Sequence, residues 1–370
     1  MLVIHGLPGI GKTTIAKAIF NLIAYQFEGS SFLENVRENT RTNDGLLQLR
    51  ETLYFDILGG RNLKVHGVFK RIDVIMEMLG HKRILLILDD VDKLVQVENL
   101  LGGCFQFASG SRIIITTREE KVLATLREDC HLTYHKYMVK ELDEHESCEL
   151  FCQHAFKRDK PKEDYSDLVD QFIHYAKGLP LALKIIATDL YERNIRCWKS
   201  ALDKYNRIPN PNIQKVLKIS YDGLDQMQRD IFLDIACFLK GFPMDFVVDI
   251  LQSFNFYDPY CELVKLIDKC LIDVTKHDNI SMHDLMQQMG MEIVRQESEE
   301  PKKHRRLLCY EDAPEVLAGH MVLVFFYLLF PFFFHGKCSD LFIFLMLKKI
   351  QFYQYDFRLK FNNNEYFCVM

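Results

Sequence analysis

The sequence has no surplus of positive charge. Lys and Arg number 46 against 51 Asp and Glu, a formal net charge of −5, whereas binding along a phosphate backbone normally needs a clustered basic face. Nucleic acid is therefore not an expected partner. With 18 Gly and 10 Pro in 370 residues, the chain also lacks the composition of a disordered or collagen-like protein. Its 11 cysteines follow no repeating spacing, and no secretory signal precedes the first motif, which together point to free thiols in a reducing, cytoplasmic compartment. Cys148 and Cys152, with His154 nearby in SCELFCQHAF, lack a second ligand pair at metal-site spacing and read as core thiols.

A single core stops growing at roughly 250–300 residues, so the length predicts more than one domain. MLVIHG is an apolar run ending in glycine. After the following loop, Ile15, Ile19, Ile23 and Phe27 recur every fourth residue, which predicts strand, loop, helix. RILLILDDVD and GSRIIITTR are continuous branched apolar runs of the kind buried in a parallel sheet. Residues 1–143 thus read as an α/β domain with a parallel sheet and flanking helices. From 144 to 208 the runs ESCELFCQHAF, YSDLVDQFIHYAKG and LPLALKIIATDLYER predict a helical bundle. Between 209 and 297, helices are followed by LIDVT-KHDN-ISMH, a hairpin pattern, so this part reads as a winged-helix domain. It holds 14 Asp/Glu against 8 Lys/Arg, the wrong sign for a DNA face, and is expected to act as an internal regulatory module.

Residues 298–319 read as a mixed-charge linker, and 320–370 as an apolar tail that opens with MVLVFFYLLFPFFF. That run is short of the roughly 20 residues a spanning helix needs, and extending it would bury Lys337 and Asp340. A membrane-associating segment and a non-native terminus both remain open for it.

GLPGIGKTT, from Gly6 to Thr14, carries the chemistry. Gly6, Gly9 and Gly11 let the backbone turn its N–H groups towards phosphate oxygens, and the next helix adds its positive dipole end. In the G-x-x-x-x-G-K-T pattern Lys12 meets the β- and γ-phosphates, and Thr13 ligates Mg²⁺ through its hydroxyl. Asp89, at the end of the second apolar strand, is the matching Mg²⁺ partner. Asp90 either orients an attacking water or anchors the neighbouring loop. Arg118, closing TTR, is placed to extend a guanidinium towards a γ-phosphate. His283 and Asp284 stand where the hairpin meets a last helix; Asp284, with Gln287 three residues on, reads as an N-cap in a capping box, and His283 as a packed histidine.

In order, GLPGIGKTT, FLENVRE, ILLILDDVD, GSRIIITTR, ELFCQHAF, GLPLAL, FLDIACFLKGF and MHD resemble the NB-ARC nucleotide-binding switch of plant intracellular immune receptors, over nearly all of residues 1–317. The acid strand ending in Asp92 and the forms of FLENVRE and FLDIACF are similar to the TIR-NBS-LRR subclass. The resemblance implies an ADP/ATP switch with Mg²⁺ and, at most, slow ATPase activity. It places Lys12 and Thr13 on phosphate and Mg²⁺, Asp89 on Mg²⁺, Arg118 on the γ-phosphate, Pro180 against adenine and His283 on the ADP β-phosphate. It also implies an upstream signalling domain and linker and downstream leucine-rich repeats, so the chain reads as a receptor fragment, with self-association or pairing with full-length receptors as its expected protein contacts. A turnover ATPase and a nucleotide-independent interaction fragment are the competing readings.

Overall fold

The computed structural model describes residues 1–58, 80–101, 107–119, 135–253 and 258–296. These divide into two compact units, one of Met1–Asn206 with Asp268–Cys270, the other of Arg207–Ile267 with the described residues from Leu271 on. The expected linker 298–319 and apolar tail 320–370 lie outside the described residues. Among the described residues no helix is long and apolar enough to cross a membrane.

The first unit is built on five parallel strands: β1 Leu2–His5, β2 Gly29–Leu33, β3 Ile84–Val91, β4 Arg112–Thr117 and β5 His135–Met138. They lie in the order β2-β3-β4-β1-β5. In β3 every residue except Asp90 is buried, and in β4 every residue after Arg112, as a sheet covered on both faces requires. The two edge strands escape a reading based on apolar runs for different reasons. β2, GSSFL, opens with glycine and serines and only alternates in burial, and β5, HKYM, is exposed throughout.

Helices α1 Lys12–Ile23, α2 Val36–Asn39, α3 Asn43–Leu58 and α4 Leu94–Leu101 accompany the sheet. Val36, Leu49, Leu53, Val97 and Leu100 join Leu33, Leu86 and Leu88 in one apolar core. The apolar spacing that runs to Phe27 overshoots α1, because a short 3₁₀ turn at Ala24–Gln26 ends it after Ile23.

Four helices follow: α5 Glu144–Phe156, α6 Ser166–Ala176, α7 Pro180–Leu190 and α8 Ile195–Arg207. An Asp143–Glu146 capping box starts α5, and Pro180 occupies the first turn of α7, where its missing N–H costs nothing. Sequence periodicity did not mark α8, a mostly polar helix, yet its buried residues Trp198, Leu202 and Tyr205 recur at helical spacing. The chain's one tryptophan, Trp198, stacks on Phe156 with ring centres 5.3 Å apart and stands edge-on to Phe151, Tyr165 and Phe172. Its indole N–H donates to Leu190 O at 3.1 Å, so the polar atom of a buried ring is satisfied. Nearby, Cys148 and Cys152 lie with their sulfurs 4.0 Å apart; burial first, and then Cys148, push the Cys152 thiol up to about 12.

In the second unit α9 Pro211–Asp222 is capped by Asn210, and α10 Gln226–Asp234 starts with an Asp225–Gln228 capping box and runs into a π turn at Ile235–Leu239. Next come α11 Met244–Ser253, α12 Pro259–Asp268, the antiparallel hairpin of β6 Asp273–Val274 and β7 Ile280–Ser281, and α13 Asp284–Gln296. Helices followed by a two-stranded wing match the expected order.

At Gly178, φ is +73° and an added Cβ would collide with Leu142 O, while Gly178 O accepts from Leu142 N–H at 3.0 Å. Gly178→Ala should therefore destabilise the bundle by about 1–3 kcal/mol through backbone strain. Urea unfolding followed by Trp198 fluorescence checks this, and an unchanged midpoint would refute it.

Candidate functional site

The turn between β1 and α1 forms the site. Gly6, Gly9 and Gly11 have φ of +147°, +80° and +98°, a left-handed path that ordinary side chains rarely follow. Gly9 is also held by packing, because a Cβ there would lie 2.8 Å from Leu181 Cβ. Leu181 N–H, in the first turn of α7, donates to Gly9 O at 3.2 Å. Gly11 stands at the N-cap of α1 without a side-chain cap, so the first amides of that helix face the mouth of the loop.

Lys12 and Thr13 open α1. Lys12 is only 8% exposed, and its Nζ donates to Gly6 O at 2.8 Å and Leu7 O at 2.9 Å. Burial, and then the nearby Arg118, lower its pKa to about 8. Thr13 Oγ1 donates to Asp89 Oδ1 at 2.8 Å, and Thr116 Oγ1 donates to the same oxygen at 2.6 Å. Asp89 is 2% exposed, so these two hydroxyls compensate for its desolvation. Thr13 and Asp89 thus bring hard oxygen donors together at the end of the loop, a donor set that suits Mg²⁺.

At Asp90 the β3–β4 register shifts and φ turns to +58°. Its N–H donates to Thr116 Oγ1 at 2.8 Å. Its carboxylate is shared, with Oδ1 accepting from Arg118 Nε at 3.2 Å and Oδ2 lying 3.0 Å from a terminal nitrogen of Arg37. Burial keeps the Arg118 guanidinium below its usual pKa, partly offset by Asp90. Asp90 thus joins Arg118 to Arg37.

The loop, Asp89, Asp90 and Arg118 line one cleft of about 1320 Å³, and Thr14, Pro180, His154 and Lys184 also line it. Pro180 therefore shares the cleft with the phosphate loop. His283, by contrast, belongs to the second unit. Asp284 is already the first residue of α13, and the cap comes from His283, whose Nδ1 accepts from Leu285 N–H at 3.2 Å. Asp284 and Gln287 both accept from Lys240 Nζ, at 2.6 and 2.9 Å.

Sequence reasoning assigned no role to Thr116 or Arg37. Thr116 was findable: it lies two residues before Arg118, on the strand paired with the acid strand. Arg37 was not, since nothing in FLENVRE shows that Asp90 turns towards it.

Two domain families match the chain, NB-ARC over residues 1–161 and the winged-helix domain of Roq1-like disease resistance proteins over residues 225–298. Disease resistance protein RPV1 of Vitis rotundifolia is 44% identical over 309 residues, 83% of this chain and 22% of that protein. TMV resistance protein N of Nicotiana glutinosa is 38% identical over 327 residues, 86% of this chain and 27% of that protein. The chain thus spans about a quarter of the length of these relatives. Among solved structures, a Walker-type ATPase of Pyrococcus abyssi is similar at a TM-score of 0.54 and 14% identity, over 79% of this chain and 91% of that one. The ORC2 protein of Aeropyrum pernix, solved in ADPNP–ADP complexes, is similar at 0.50 and 13%, over 81% and 88%. At such identities the structures speak for the fold alone. The fold, the loop with its paired acid strand, and these matches agree that the chain carries the NB-ARC and Roq1-like winged-helix domains of TIR-NBS-LRR-type plant disease resistance proteins.

Proposed function

We propose that the chain is an ADP/ATP switch module for plant defence signalling, in which nucleotide exchange controls closed and open states. The observation that carries this reading is the arrangement of buried Lys12 and Asp89 with half-buried Thr13 inside one cleft with the loop and Arg118. Lys12 holds the terminal phosphates of the nucleotide, Thr13 and Asp89 hold Mg²⁺, Thr14 closes the loop, Arg118 meets the γ-phosphate and Pro180 packs against adenine. Bound Mg²⁺ supplies charge neutralisation between phosphates. Three functional parts, divided at 143/144 and 208/209, take part in the switch.

Asp90 is held by two guanidinia, which supports holding over rapid turnover. His283 is the proposed contact to the ADP β-phosphate. A backbone N–H can only donate, so Nδ1, which accepts from Leu285, carries no proton in the neutral ring, and Nε2 is the N–H donor.

Purified protein is expected to carry ADP, and Lys12→Ala to come out empty, having lost a charge-assisted contact of about 1.5–3 kcal/mol. A turnover enzyme would instead cycle, and an interaction fragment would be empty from the start. Nucleotide content by chromatography decides.

Lys12 also sets a pH dependence. Its pKa in the free protein, about 8, lies below its ordinary value of 10.5. The unfolded chain therefore binds more protons between these limits. Stability of the nucleotide-free protein should rise from about pH 8 towards 10.5 and stay flat below 8, as far as this group is concerned. ADP binding needs the ammonium, so affinity should fall by about tenfold per unit above pH 8. Arg at this position keeps its charge, so titration calorimetry on Lys12→Arg should lack that slope.

Replacing His283 by Asn keeps an acceptor for Leu285 N–H but removes the imidazole donor. Release of a fluorescent ADP analogue should quicken about ten- to a hundredfold, the equivalent of one hydrogen bond to a charged group. Helix stability should change little. An unchanged stopped-flow rate would remove His283 from the site.

A further inference from the structure

Arg37 is not among the residues lining the nucleotide cleft, whereas Arg118, which shares its carboxylate partner, is. Side-chain exposures of 13% for Arg37, 17% for Asp90 and 19% for Arg118 put all three charges in a medium where an unpaired ion is costly. Asp90 cannot follow either arginine far, because its peptide is fixed by the bond to Thr116 Oγ1 and by a left-handed φ. Arg37 is anchored in turn by α2, whose Val36 is fully buried in the core. Its ion pairs run through a terminal nitrogen of the guanidinium. That group lies 3.0 Å from Asp90 and 3.7 Å from the more exposed Glu38.

We propose that Arg37 is a positioning residue for γ-phosphate sensing, the counter-ion that keeps Asp90 paired when Arg118 turns from it to the nucleotide. The inference rests on the reading of Arg118 given above. A γ-phosphate competes with Asp90 for Arg118. If Asp90 had no second partner, releasing Arg118 would strand a half-buried carboxylate, and the competition would favour Asp90. With Arg37 in place the carboxylate stays neutralised when Arg118 turns to the third phosphate. ADP makes no such demand, so Arg37 distinguishes triphosphate from diphosphate without touching either.

The test is displacement of a fluorescent ADP analogue from the full chain by ADP and by AMP-PNP, in the presence of Mg²⁺. Arg37→Ala is expected to weaken AMP-PNP about tenfold while leaving ADP within about twofold, and Arg37→Lys to recover most of the loss, because the role is that of a charge. In an Asp90→Ala background, which removes the shared carboxylate, Arg37→Ala should have no further effect on the AMP-PNP to ADP ratio. Equal weakening of both nucleotides would mark Arg37 as part of the scaffold only and overturn the proposal, as would an effect that survives in the Asp90→Ala background or a failure of Lys to rescue. Arg118→Ala separates the two levels. If it leaves the ratio unchanged, γ-phosphate sensing by Arg118 fails and the inference falls with it. If it collapses the ratio while Arg37→Ala does not, the inference alone falls.

Discussion

A carboxylate that is 2% exposed needs hydrogen-bond donors, and Asp89 takes both of its own from hydroxyls on other elements. Thr13 comes from the start of α1 and Thr116 from β4, so one oxygen atom ties the loop, the acid strand and the neighbouring strand together. The same Thr116 hydroxyl accepts from Asp90 N–H, which fixes where the second acid points. The spacing of the cleft follows from this small network. Removing either hydroxyl would leave a buried charge short of donors, an error that proteins rarely tolerate.

What could be read from the sequence follows from how local each signal is. The loop, β3 and β4 were legible because a glycine pattern and unbroken branched apolar runs allow few other structures, and each needs only its own residues to specify it. The winged-helix order was legible for the same reason. Edge strands β2 and β5 were not, since a strand with one neighbour carries little apolar pattern. Helix α8 hid its core residues in a polar sequence. At the start of α13 the sequence did not show that Lys240, 44 residues away, pairs with Asp284. Local capping rules weigh only the orphan amides and cannot see a distant ammonium.

The candidate site shows the same division. Lys12, Thr13 and Asp89 were recognisable by type and spacing. Arg37, which pairs with Asp90, was not, because a side chain that acts on another side chain needs only the right position in space. The ion group around Asp90 depends on a backbone turn at +58°, and no residue type announces that angle.

The hydrogen bond from Leu181 N–H to Gly9 O, with the close packing of Leu181 on Gly9, has a mechanical meaning. A phosphate loop is usually pictured as a flexible flap at the mouth of a rigid domain. Here the flap is stitched to the first turn of a bundle helix, so the two share one degree of freedom. A load applied along α7 would reach the phosphate cradle as displacement rather than be lost in a slack joint, and in that sense the helix is the loop's lever arm.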